Sequence, residues 1–124
     1  MIGRLALRGL RLVVAVHAVM VLAQAAFAGR WLTGDATGLR AHETNAGLIE
    51  LVALVQLGLA VAVWRPGRGP GWPALVSLAL LLAEGVQIGM GYGRVLAVHV
   101  PLGVAIFGLL VALGVGTWRL RLRP

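Results

Sequence analysis

Two histidines, His42 and His99, stand near corresponding ends of two apolar runs that are far apart in the sequence. Neutral imidazole offers a nitrogen lone pair to a metal. Two imidazoles at similar depth on separate helices supply the donor set for a metal gripped from both faces, as iron is in a six-coordinate porphyrin. Around them lie other groups that lipid excludes: His17, Gln24, Glu43, Glu50, Glu84 and Gln87. Burying an ionisable group in a membrane span costs at least about 2.5 kcal/mol, so such groups face a bundle interior and do something there.

These residues need elements to hold them. Of the 124 residues, 60% are hydrophobic and only 12% charged, and the mean hydropathy is +0.93. A soluble domain of this length carries about a quarter charged residues, so the chain reads as one helical membrane domain over 1–124. Four windows approach the roughly 20 residues needed to cross a bilayer: about 8–28, 42–64 (most apolar from Asn45), 72–90 and 95–118. The outer loop after the first is expected to run to about Leu39, and "RPGRGPGWP" and "GMGYGR" form the other turns. Short connections favour an all-α, up-down-up-down four-helix bundle. Pro101, inside the fourth helix, marks a kink near its start.

Charge sets the expected orientation. The chain has eleven arginines, no lysine and a net charge of +7. Threading four spans puts Arg4, Arg8, Arg11, Arg65, Arg68, Arg119, Arg121 and Arg123 on one side, and Arg30, Arg40 and Arg94 on the other. This is the positive-inside bias, so both termini are expected in the cytoplasm, with a multi-pass membrane protein between them. The arginines are a topology signal with the lipid bilayer and its anionic headgroups as partner, not a nucleic-acid footprint. There is no cysteine, which excludes disulfides, iron–sulfur clusters and thiolate chemistry. The first run ends Ala26-Phe27-Ala28, like a signal-peptide cleavage site, but its apolar length and His17 make it a retained first helix.

Depth and phase refine the site. At 1.5 Å per residue from the nearest outer arginine, His42 lies about 3 Å deep and His99 about 8 Å. Gln24 and Gln87 come at roughly 9–10 Å, Glu50 and Glu84 near 15 Å, and His17 at about 19 Å. His17 and Gln24, Glu43 and Glu50, and Ser77 and Glu84 are each seven apart and share a helix face. His42 and His99 are therefore the expected axial ligands of a b-type haem (heme b), and His17 is too deep to pair with either. The cofactor-free alternative makes His42 an interfacial residue and His99 a helix–helix contact. A zinc or di-metal site from His17, Glu50 and Glu84 is a third reading, although no Glu-x-x-His spacing accompanies it.

The stretches "AQAAFAGRWLTGD", "AHETNAG" and "LAVHVPLGVAIFG" resemble an uncharacterised family of short four-helix bacterial membrane proteins. The similarity spans roughly residues 20 to 115, and its most specific feature is the His-x-x-x-Gly of the fourth helix. That arrangement in turn resembles one four-helix half of heme A synthase, where histidines of the second and fourth helices hold a haem. The resemblance implies that His42 and His99 are the ligands. It does not extend to the acid three residues before the second-helix histidine, where this chain has Leu39, so oxidation of a haem methyl group is not implied.

The resulting expectation is a small membrane haem protein engaged in electron transport, with iron held by His42 and His99. Gly47 and Gly103 make room for the porphyrin, Arg40 and Arg94 lie near its propionates, and Glu43, Glu50, Glu84, Gln87, Gln24 and His17 support the ligands or handle protons. A quinol or a redox protein is the expected partner, within a homo-oligomer or a larger membrane complex. Two rivals remain: a structural subunit of such a complex, and a quinol-binding membrane protein.

Overall fold

The computed structural model describes residues 1–122; Arg123, one of the arginines assigned to the terminal side, lies outside them. Four helices follow one another: α1 (Ile2–Leu32), α2 (Ala36–Trp64), α3 (Trp72–Tyr92) and α4 (Leu96–Arg119). Each packs on its chain neighbours and α4 closes back on α1, whereas the backbones of α1 and α3, and of α2 and α4, do not approach closely. The histidine-bearing helices α2 and α4 are thus diagonal across a four-helix bundle. We call the end with turns 33–35 and 93–95 the histidine end, and the opposite one, with Met1 and the 65–71 turn, the arginine end.

The bundle is inside out relative to a water-soluble one. Large apolar side chains such as Leu12, Leu22, Leu51, Leu82 and Val104 are exposed, while His17, Gln56, Ser77 and Glu84 are buried. All four helices are long and apolar enough to cross a membrane, consistent with a multi-pass membrane protein. Toward the arginine end the core is plain hydrocarbon, built from Leu7, Leu10, Val14, Val63, Leu110 and Leu113. Arg11 closes this end. Its guanidinium donates to the carbonyls of Thr117 (3.0 Å) and Leu120 (2.9 Å), satisfying acceptors that the end of α4 leaves open. It also stacks on Trp118, 5.2 Å from the ring centroid. One arginine counted for topology is thus a helix cap.

The helices are longer than the hydropathy windows. α2 begins at Ala36, so no loop extends to Leu39, and His42 and Glu43 lie within the helix. Asp35 causes this: its carboxylate accepts from the Thr37 N–H (2.9 Å) and hydroxyl (2.6 Å), a side-chain N-cap. The Arg30 guanidinium holds the other carboxylate oxygen. Gly34 turns the chain with φ +97°, and Gly38 lets α2 start against α1, where a Cβ would stand 2.7 Å from the Trp31 nitrogen.

Hydrogen bonds from Thr37 and Arg30 hold the Asp35 carboxyl down at about 2, against an ordinary 3.8. A depressed carboxyl stabilises the fold above its unfolded pKa and loses that contribution as pH falls through its folded one. The first turn of α2 should therefore remain protected near neutrality and fray as pH drops from about 4 toward about 2. Amide exchange at residues 37–39 reads this out, and Asp35→Ala should show the frayed behaviour at every pH.

Candidate functional site

The two helical hairpins build the same local device. Near the histidine end of α1, the Gln24 carbonyl accepts the Nδ1–H of His42 on α2 at 3.1 Å. On α3, the Gln87 carbonyl accepts the Nδ1–H of His99 on α4 at 2.8 Å. A helical carbonyl has a second lone pair to give. Asn45 strengthens the first hairpin, donating to the Met20 carbonyl (2.9 Å) and the Gln24 side-chain oxygen (3.0 Å).

These bonds fix the chemistry of the rings. A carbonyl only accepts, so each Nδ1 carries the hydrogen and each neutral ring keeps its lone pair on Nε2, which has no hydrogen-bond partner among the described residues. This is the tautomer, and the carbonyl partner on the other ring nitrogen, that metal-binding histidines use. The two ring centroids are 6.1 Å apart and the planes are inclined at 50°. Imidazole nitrogens bind metals at about 2 Å, so two rings on opposite sides of one metal have centroids a little over 6 Å apart. The donor set fits a bis-histidine haem in atom type, tautomer and separation.

Glycines shape the surroundings unequally. At Gly91 a Cβ would stand 3.0 Å from Cε1 and 3.2 Å from Nδ1 of His99, so this glycine clears the ring's place. The Gly103 position is taken up by the Gln87 amide, 2.8 Å from where a Cβ would be, whereas Gly47 and Gly89 have nothing within 4 Å. A methyl at Gly91 must displace the imidazole and disturb its bond to Gln87. Gly91→Ala should weaken haem affinity by about tenfold, the lower range for loss of ligand support. Gly89→Ala, in open space, should leave it unchanged; titration of both variants with haem b measures the difference.

Arg40 and Arg94 lie exposed at the histidine end, and among the described residues the single arginine in a salt bridge is Arg30. Arg94 sits at φ 54°, a left-handed conformation that an arginine adopts only when its turn compels it. Both guanidiniums are available to a carboxylate there. Glu43, next to His42, is also exposed.

Deeper in, His17 is fully buried and does not join the two-histidine site. Its Nδ1–H donates to Gln56 Oε1 at 2.9 Å, and the Gln56 amide donates to the Ser77 hydroxyl at 3.2 Å. On its other side Nε2 lies 2.8 Å from Glu84 Oε1, and neither that nitrogen nor either Glu84 oxygen has any other polar partner. Glu50 is half-buried, within electrostatic range of both Glu84 and His17, and its Oε1 is likewise buried without a partner. Among the described residues no three His, Cys, Asp or Glu side chains are grouped so as to hold a metal ion. The zinc or di-metal reading of His17, Glu50 and Glu84 thus has no such grouping behind it.

Sequence reasoning left four contributors out of the site: Gln56, Ser77, Asn45 and Gly91. A signal for the first hairpin was present, since Asn45 lies three residues after His42 and so on nearly the same helix face. Gly91 precedes the turn and had no such mark.

No family profile, curated protein or solved structure matches the chain.

Proposed function

We propose that this chain is a membrane-embedded b-type haem protein that passes electrons, with His42 and His99 as the two axial ligands. One observation carries the reading: the diagonal imidazoles, 6.1 Å apart, each present an unprotonated Nε2 because each Nδ1–H is committed to a backbone carbonyl. A helix–helix packing role requires no such matched pair of tautomers. Bound there, haem supplies a one-electron couple held low-spin by two nitrogens. The chain's own contributions are orientation and exclusion. Gln24 and Gln87 aim the rings, Arg40 and Arg94 are placed to pair with propionates at the mouth, and the apolar core toward the arginine end keeps water out. Glu43, exposed beside His42, adds negative charge at the same mouth.

In this proposal the arginine end is cytoplasmic and the haem sits toward the opposite face of a bacterial inner membrane, following the bias of arginines. The donor is a quinol or a redox protein reaching that face. The likeness to one half of heme A synthase favours the same ligand pair, without its reaction. Haem titration of the purified chain tests the proposal: saturation at one haem b per chain, lost on replacing either histidine, is the expected result. A chain that remains colourless yet assembles with other membrane proteins would instead favour the structural-subunit reading.

A further inference from the structure

The buried cluster of His17, Glu84 and Glu50 takes no part in holding the rings, and it is the most expensive feature of the fold. It joins three helices: His17 from α1, Gln56 and Glu50 from α2, Ser77 and Glu84 from α3. The hydrogen-bond chain fixes one proton position. Ser77 accepts from the Gln56 amide, so Gln56 turns its carbonyl oxygen to His17, and His17 must place a hydrogen on Nδ1. If His17 is neutral, Nε2 then has only a lone pair to show Glu84. Two acceptors 2.8 Å apart repel unless a proton lies between them. The Glu84 oxygens and Glu50 Oε1 are buried without hydrogen-bond partners.

We propose that His17 and Glu84 share one exchangeable proton, that Glu50 relays it from the histidine end, and that the cluster takes up this proton when the two-histidine site gains an electron. The second half rests on the haem reading; the first does not. In the balanced step, one electron from a quinol-class donor enters the haem site and one proton, released by that quinol or by water, moves onto the cluster. The added negative charge is compensated nearby and no covalent bond among the heavy atoms changes. Coupling has a short path. Glu84 lies three residues before Gln87 on α3, about 4.5 Å along the axis, and the Gln87 carbonyl holds His99.

Few other groups can answer for such an effect. The titratable groups that face Glu84 are His17 from α1 and Glu50 from α2. Along α4 the only ionisable residues are His99, bonded to Gln87, and Arg119 at the far end. Toward the arginine end the cluster stops at Gln56 and Ser77 against apolar core. Glu50, the half-buried member of the cluster, is the entry point assigned to the proton.

Two measurements test this together. Redox titration of the haem-loaded chain between about pH 5 and about pH 8 should show a midpoint potential falling with pH, by up to about 59 mV per unit for one proton per electron. Glu84→Gln, which keeps the shape and the contact to His17, should flatten that slope and leave the visible spectrum intact. Glu50→Gln should slow proton uptake. In parallel, infrared difference spectra of the chain on a pH change, with and without haem, should show a carboxylic-acid carbonyl band that is lost in Glu84→Gln. If Glu84→Gln does not fold, isotope shift of the band in unsubstituted chain labelled at glutamate replaces it. A pH slope unaltered by Glu84→Gln overturns the coupling, and absence of any carboxyl band, or a band moved by sodium and not by pH, overturns the shared proton. A chain that binds no haem removes the haem reading alone, and the infrared result still decides whether the cluster exchanges a proton.

Discussion

His99→Ala is expected to abolish the low-spin haem spectrum and to weaken haem binding by at least about 100-fold, or about 2.8 kcal/mol. The argument is local. His99 gives one of only two imidazoles at the histidine end of the bundle, and His17 cannot replace it because both of its nitrogens are engaged within the core. An alanine there leaves the Gln87 carbonyl with its ordinary helical bond, so the fold should persist and the loss should be specific to the cofactor. His42→Ala should behave alike, since Asn45 still ties α2 to α1 through the Gln24 side chain and the Met20 carbonyl. Added free imidazole should restore a low-spin spectrum in either variant. If one variant kept full affinity while the other lost it, the site would be five-coordinate and the paired geometry irrelevant.

His17→Ala is expected to produce the largest loss of stability of any single change, about 2–4 kcal/mol. Two effects add. Removing the imidazole opens a cavity between three helices, and it strands buried polar atoms of Gln56 and Glu84 where neither water nor lipid can satisfy them. Interhelical hydrogen bonds in membranes average only about 0.6 kcal/mol when the partners can find substitutes; here the partners are buried and have none. Unfolding by denaturing detergent in bicelles measures the difference. Asn45→Ala, which deletes half-buried contacts near the histidine end, should cost several-fold less. Equal losses would mean that the polar core contributes nothing beyond ordinary packing.

Much of this was visible in the residues, and the failures have definite causes. Helix number came from hydropathy, because four runs of that length have no other way to hide their backbone polar groups. Helix starts did not, since hydropathy marks where lipid-compatible sequence begins, whereas α2 begins where Asp35 caps it. The same error affected depth. Measuring from Arg40 treated a residue already inside α2 as its end; the His42 and His99 ring centroids are 6.1 Å apart. That His42 and His99 come near one another was legible in their similar places on the second and fourth helices, which a bundle sets diagonally. The carbonyls that choose their tautomer were not, because backbone acceptors carry no residue signature. Nor was the joining of Gln56 and Ser77 to His17. Periodicity places a side chain on a face of its own helix, but which heights meet across helices is set by the turns and by packing, here by the 65–71 turn between α2 and α3.

The central claim is that two imidazoles with free Nε2 atoms grip one iron between α2 and α4. The most direct measurement is a visible spectrum of the detergent-solubilised chain supplied with haem b, taken oxidised and then reduced with dithionite. The account predicts the sharp, resolved bands of a low-spin six-coordinate haem on reduction, unchanged by carbon monoxide. Free-haem absorbance, or a broad high-spin spectrum that shifts when carbon monoxide is added, would contradict it.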